Sequence, residues 1–166
     1  KAVAGTGATI VDTRKTIPGL RVAQKYAVTC GGGNNHRMGL YDAILIKENH
    51  IAAAGGIQNV MDRAHEIAPE GVWIQIEVES LEECRQALEA GAKMILLDNF
   101  THDALRNAAT LAKDYQNGNV ILEASGNITL KNIRSAAETG VNRISVGALT
   151  KNVEAIDFSM RVNKLD

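Results

Sequence analysis

The chemistry this sequence offers starts with its cations: Arg14 and Lys15, then His36 and Arg37, then Lys47. A guanidinium is a planar fork that takes a carboxylate or phosphate through paired hydrogen bonds, and a lysine adds a compact point charge. Brought into one recess, these groups suit a small anion bearing several charges. The surrounding composition makes them informative. The chain has 166 residues, with 18 Lys and Arg against 19 Asp and Glu and a net charge of −1. It therefore has no overall basic field to draw in nucleic acid or acidic membranes, and any basic site is local. The alternative is that these are solvated surface charges, which only their placement decides.

Carboxylates are the second ingredient. Glu77 and Glu79 lie two apart in an extended run, which would put them on one side of a strand, and Asp98 ends a later apolar run. Such groups hold Mg²⁺ together with substrate phosphates, or accept hydrogen bonds from ribose hydroxyls. Asp98 would equally suit a helix cap. Small residues follow two late apolar runs, at Ser125-Gly126-Asn127 and at Val146-Gly147-Ala148. They expose backbone N–H groups to a phosphate, or simply make tight turns. Gly31-Gly32-Gly33 is a weaker phosphate-loop candidate because it lacks the Gly-Lys-Ser/Thr ending, and it would also serve as a helix stop. His65 and His102 read as surface residues and His50 as a support for Lys47. Cys30 and Cys84 have no metal-ligand spacing and read as reduced thiols of a cytoplasmic protein. No nucleophile–histidine arrangement follows from the spacing.

The elements that must position these residues alternate. Thr9–Val11, Asp42–Lys47, Val72–Val78, Met94–Leu97, Val120–Ala124 and Ile144–Val146 read as strands, the third by strict alternation of β-branched and polar residues. Between them lie helical patterns: Pro18 opening a helix whose apolar positions run from Leu20 to Ala27, then Ile57–Ile67, a helix capped by Ser80, one capped by Thr101 and running to about Asp114, and Leu130–Glu138. The tail from Ala155 fits a strand or a short helix. Repeated βα order implies parallel strands with helical crossovers. Crossovers of similar length favour a barrel, and about six strands make it incomplete beside the eight of a TIM barrel. The polar residues fall just after strand ends, where a barrel gathers them at one mouth. The apolar runs are all too short to cross a membrane. The chain opens without Met and without a signal-peptide pattern, as expected of a piece of a longer protein.

In order along the chain stand Thr13-Arg14-Lys15-Thr16, Pro18-Gly19-Leu20-Arg21, Lys25-Tyr26-Ala27-Val28, Gly31-Gly32-Gly33, Asn35-His36-Arg37, Leu45 to Ile51, Glu77-Val78-Glu79, Leu97-Asp98-Asn99, Glu123-Ala124-Ser125-Gly126 and Val146 to Thr150. This series resembles the quinolinate phosphoribosyltransferase family over essentially the whole chain. The resemblance implies an open, incomplete TIM-like α/β barrel, here residues 1–166. It would be the C-terminal catalytic domain of a two-domain subunit whose N-terminal α/β domain lies outside this chain. It implies conversion of quinolinate and phosphoribosyl pyrophosphate to nicotinate mononucleotide, pyrophosphate and CO₂, with Mg²⁺, in a cytoplasmic homodimer or higher oligomer. Thr13, Arg14, Lys15, His36, Arg37 and Lys47 would surround quinolinate. Glu77 and Asp98 would meet ribose and, through substrate, the metal, which makes Lys47, Glu77 and Asp98 the catalytic candidates. Ser125, Gly126, Asn127 and Gly147 would lie near phosphate. Asn127 stands where the family often has Gly, and Lys151-Asn152 where it often has His-Ser. The family also uses an Arg from the N-terminal domain of a neighbouring subunit, which an isolated fragment would lack. Two rival readings are a Schiff-base aldolase with Lys47 as nucleophile and a non-enzymatic anion-binding relative.

Overall fold

Six strands pair in parallel in one sheet of order β1-β6-β5-β4-β3-β2. They are β1 (Thr9–Val11), β2 (Ala43–Ile46), β3 (Trp73–Val78), β4 (Met94–Asp98), β5 (Ile121–Ser125) and β6 (Arg143–Ser145). Helices α1 (Arg21–Cys30), α2 (Glu48–Ala54), α3 (Ile57–Ile67), α4 (Leu81–Glu89), α5 (His102–Ala112), α6 (Ile133–Ala137) and α7 (Ala148–Lys151) lie between and after them. These features come from a computed structural model, which describes residues 1–115 and 118–163. The strand order is that of a sequential barrel opened between its first two strands. The fold is thus an open parallel α/β barrel.

Alternation along the strands separates two environments. Ile76 and Val78, Ile95 and Leu97, Leu122 and Ala124, and Ile144 and Val146 face the helices and form one apolar core with Met61, Ala64, Cys84, Leu88, Leu105 and Ala108. The opposite face of the same strands carries Gln75 and Glu77, Leu96 and Asp98, Glu123 and Ser125, and Arg143 and Ser145. The register places Glu77 beside Leu96, Leu96 beside Glu123, and Glu123 beside Arg143. One face therefore supplies stability and the other is left for chemistry.

The helices start and stop for local reasons. The Ser80 and Thr101 hydroxyls accept the backbone N–H groups of Glu83 and Ala104, so both expected caps are present. α1 begins at Arg21, later than Pro18, because Ile17 to Leu20 closes a turn in which the Leu20 amide donates to the Ile17 carbonyl. α2 follows β2 directly after Lys47. α6 is shorter than the helical pattern from Leu130, because Asn132 ties back to Thr129 and Asn127. The tail from Ala155 to Asn163 has no regular structure and is exposed.

Gly31-Gly32-Gly33 is not a phosphate loop. The three backbone N–H groups donate to Ala27, Thr29 and Val28 carbonyls of α1, which leaves none for an anion. A Cβ at Gly33 would come within 2.8 Å of Val28 Cγ1. The glycines end α1 and let the chain pass close against it.

The layer between sheet and helices carries most of the apolar burial. Leu97 is fully buried there. Leu97→Ala is expected to lower unfolding stability by about 2–5 kcal/mol in urea titration of the full-length protein. A loss below about 1 kcal/mol would show that the site repacks and that this layer is not close-packed.

Candidate functional site

β1 and β2 are not joined by hydrogen bonds, and the segment from Gly33 to Arg37 crosses between them. Asn34 pairs with β1, accepting from the Asp12 amide at 3.1 Å and donating to the Ile10 carbonyl at 2.9 Å. Arg37 Nη1 donates to the Ala43 carbonyl of β2 at 2.9 Å. The crossing is held from below by a buried ion pair. Asp12 and Lys25 are both inaccessible, and the Lys25 ammonium donates to Asp12 Oδ1 and, at 2.9 Å, to the His36 carbonyl. The Asp12 carboxylate also accepts from the His36 amide at 2.8 Å and from Asn35 Nδ2 at 2.6 Å. Every donor and acceptor in this cluster serves to place residues 34–37.

The basic residues meet above that crossing. Thr13, Arg14, Lys15, His36, Arg37 and Lys47 line one pocket of about 400 Å³ with Glu77, Asp98, Glu123 and Ser125. Arg14 is set by Arg21, whose guanidinium donates to the Arg14 carbonyl at 3.1 Å, the Met38 carbonyl at 3.1 Å and the Thr16 hydroxyl at 3.0 Å. Burial and the neighbouring charge of Arg14 pull the Arg37 guanidinium below its ordinary value, with Asp42 opposing. The Arg14 and Arg37 guanidiniums therefore repel one another. Lys47, at the end of β2, donates to Glu77 Oε1 at 2.8 Å.

A second lobe of about 540 Å³ shares Thr13, Lys15, Asp98 and Ser125 with the first and adds Gly126, Asn127, Gly147 and Lys151. Gly126 and Asn127 take positive φ, 95° and 51°. A Cβ on Gly126 would overlap the Asn99 carboxamide and lie 2.9 Å from its backbone nitrogen. The side chains of Lys15 and Lys151 both approach Gly147, at 3.9 and 3.6 Å from the position a Cβ would occupy there. Two lysines, a hydroxyl and a small-residue backbone make this lobe a place for phosphate oxygens.

All twelve expected site residues thus line one of two adjoining lobes. Glu79 does not join them: β3 ends at Val78, the Glu79 amide donates to Glu83 Oε2, and its exposed side chain borders a shallow depression with Glu48 and Glu83. Sequence reasoning missed Lys25, Asp12, Arg21, Gln75 and, as an individual contributor, Glu123. Burial pushes the Glu123 carboxyl up, but the His36 ring 3.4 Å away and the hydrogen bond from Gln75 outweigh it, and its pKa lies below the ordinary value. Among the described residues no group of three His, Cys, Asp or Glu side chains is placed to hold a metal ion unaided. Cys84 is outside the site, and burial pushes its thiol up to about 11.

An open α/β barrel with a two-lobed, cation-lined mouth defines a class: a barrel domain whose mouth has the charge to suit a small polyanion. The particular family follows from comparison. The quinolinate phosphoribosyl transferase C-terminal domain model matches residues 1–161, and the chain belongs to that family. It is 49% identical over 153 residues to the probable nicotinate-nucleotide pyrophosphorylase [carboxylating] of Bacillus subtilis (strain 168), covering 92% of this chain and 52% of that protein. It is 45% identical over 159 residues to the corresponding Mycobacterium leprae (strain TN) enzyme, covering 96% and 55%. The solved nicotinate-nucleotide pyrophosphorylase of Francisella tularensis superposes with a TM-score of 0.87 at 47% identity, covering 94% of this chain and 54% of that one. The chain spans about half the length of these relatives.

Removing one partner of the Asp12–Lys25 pair leaves a buried charge alone. Lys25→Met is expected to cost about 3–5 kcal/mol of stability by chemical denaturation of the full-length protein. An unchanged midpoint would show that the segment from Asn34 to Arg37 is held by other contacts.

Proposed function

We propose that the full-length protein transfers a phosphoribosyl group from phosphoribosyl pyrophosphate to quinolinate, releasing pyrophosphate and CO₂ and forming nicotinate mononucleotide. The observation that carries this reading is the convergence of Arg14, Lys15, His36, Arg37 and Lys47 on one pocket, with Glu77 and Asp98 on its wall. Quinolinate is a planar dianion, and the arginine forks suit its two carboxylates. The adjoining lobe, with Lys15, Ser125, Gly126, Gly147 and Lys151, suits the phosphates of the donor. Asp98 and Ser125 belong to both lobes, so the ribose would bridge them there.

The chemistry asks little proton transfer of the protein. The pyridine nitrogen carries no proton, so its attack on the ribose anomeric carbon needs no general base. Departure of pyrophosphate leaves positive charge on the ribose and negative charge on the leaving group. Glu77 and Asp98 would face the former, and Lys15 and Lys151 the latter. After transfer the alkylated ring nitrogen stabilises the carbanion left when the adjacent carboxylate departs as CO₂, and that carbon then takes up a proton. Arg14, Lys15 and Lys47 hold the ring so that this bond can break.

The two wall carboxylates also fit Mg²⁺ held largely by substrate. Magnesium keeps several waters and leans on phosphate oxygens, so Glu77 and Asp98 would suffice without a third protein ligand. When bound, it would neutralise the leaving pyrophosphate. The Lys47 ammonium is engaged by Glu77, which disfavours it as a Schiff-base amine.

Further parts complete the assignment. Val22 and Tyr26 on α1, and Ile156, Phe158, Met160 and Val162 along the tail, are strongly exposed apolar side chains. An N-terminal domain and a second subunit would cover such surface, in line with a homodimer or higher oligomer. Among the described residues no helix is long and apolar enough to cross a membrane. Cys30 and Cys84 are unpaired thiols, and we assign the protein to the reducing cytoplasm.

The test is turnover of quinolinate and phosphoribosyl pyrophosphate by the full-length protein, read as CO₂ release. Absence of turnover with both substrates and Mg²⁺ would overturn the reading. Lys47→Ala is expected to raise the quinolinate KM by about 10- to 100-fold, and an unchanged KM would remove Lys47 from quinolinate binding.

A further inference from the structure

Below the pocket floor a short hydrogen-bonded chain runs across the barrel. The Arg37 backbone N–H donates to His36 Nδ1 at 2.8 Å. His36 Nε2 lies 3.0 Å from Gln75 Oε1. Gln75 Nε2 donates to Glu123 Oε2 at 3.1 Å, and the same carboxylate oxygen stands 3.4 Å from His36 Nε2. Gln75 and Glu123 are fully buried, and the His36 ring packs edge-on against Trp73 with centroids 5.2 Å apart.

The direction of this chain is set at both ends. A backbone N–H can only donate, so His36 Nδ1 must be bare and the ring proton must sit on Nε2. An ionised carboxylate can only accept, so Gln75 must turn its NH₂ group to Glu123 and its carbonyl to His36. Reversal would put a proton on Nδ1, facing the Arg37 N–H. Both ring nitrogens are then engaged within the protein.

We infer that Glu123 is a positioning residue: acting through Gln75, it holds His36 as the Nε2–H tautomer, and His36 in turn holds the Arg37 backbone at the pocket. His36 thereby lines the pocket and also supports Arg37. One further observation points the same way. Glu123 Oε1 is buried without a hydrogen-bond partner among the described residues, while the residue lines the pocket. A carboxylate kept in that setting needs a role that repays its desolvation, and orienting the chain supplies one.

The kinetic half of this inference rests on the reaction proposed above; the tautomer half does not. The experiment is ¹⁵N NMR of ring-labelled histidine in the full-length protein, with the His36 signal assigned by its loss in His36→Asn, alongside steady-state kinetics. The wild-type ring is expected to be protonated at Nε2 alone. Glu123→Gln keeps the shape but can donate as well as accept. It is expected to give mixed tautomers and a quinolinate KM raised about tenfold, with kcat within about twofold. Combining Gln75→Glu with Glu123→Gln puts an acceptor-only group directly against His36 and is expected to restore both. If Glu123→Gln does not fold, Gln75→Leu interrupts the same chain and is expected to show the same mixture. A single Nε2–H tautomer and unchanged KM in Glu123→Gln, or in Gln75→Leu where that variant replaces it, overturns the inference. So does a double variant that stays impaired, which would leave Glu123 a packing role only. A wild type that does not turn over quinolinate yet shows the Nε2–H tautomer supports the positioning chain and overturns the proposed reaction.

Discussion

The site depends on one buried ion pair. Lys25 comes from α1, Asp12 from the end of β1, and neither is accessible to solvent. Such a pair recovers its desolvation cost only when the remaining donors and acceptors are also met. Here they are met by the segment that crosses the open side of the barrel: Asn35 Nδ2, the His36 amide and the His36 carbonyl. A closed barrel would join its first two strands by a ladder of backbone hydrogen bonds. This one joins them through a charge in its interior and through Asn34 and Arg37 on either side. The opening is thereby made part of the site, because the residues that close it include His36 and Arg37.

A second consequence follows for the division of labour within the strands. Along β3, Ile74, Ile76 and Val78 face one way and Gln75 and Glu77 the other. The same alternation repeats in β4, β5 and β6. The outward face can be wholly apolar because the helices cover it, and that burial stabilises the fold by the usual 1.5–3 kcal/mol or so per large side chain. The inward face is then free to be polar at graded depth. Glu123 and Gln75 lie at the bottom, where an unmet hydrogen bond is costly. Lys47 and Glu77 lie at the rim, where water shares their charge. Depth sorts supporting residues from contacting ones.

Much of this could be read from residue order. The alternation in Val72–Val78 marked β3, the Ser80 and Thr101 caps marked their helices, and the polar residues just after strand ends foretold a common mouth. Lys25 was not legible, because on a helix that exposes Val22 and Tyr26 it reads as one more solvated residue. Its burial is decided by Asp12, thirteen residues away and on another element. Gln75 and Glu123 left a faint signal, as lone polar residues inside apolar strand sequences at inward positions. Glu79 misled for the opposite reason: period-two spacing was extended one residue past the end of β3, where the chain turns and its amide caps onto Glu83. The glycine run misled because composition does not say which carbonyls its N–H groups will find.

The cations in and around the pocket differ in how far the protein itself partners them. Lys25 is neutralised by Asp12, and Lys47 is partnered by Glu77. Arg21 spends its guanidinium on Arg14, Thr16 and Met38. Arg14 differs, since its Nε is buried with no partner among the described residues. A buried donor without a partner costs about 1–3 kcal/mol, and more when charged, so an acceptor placed against Arg14 Nε would be favoured there. The mutual repulsion of Arg14 and Arg37 acts in the same direction. Under the reaction proposed above, an anion that accepts from Arg14 Nε and lies between the two guanidiniums would answer both. This is also why such a site needs a rigid frame: a flexible mouth would relax by turning Arg14 to solvent, and the advantage to the ligand would be lost.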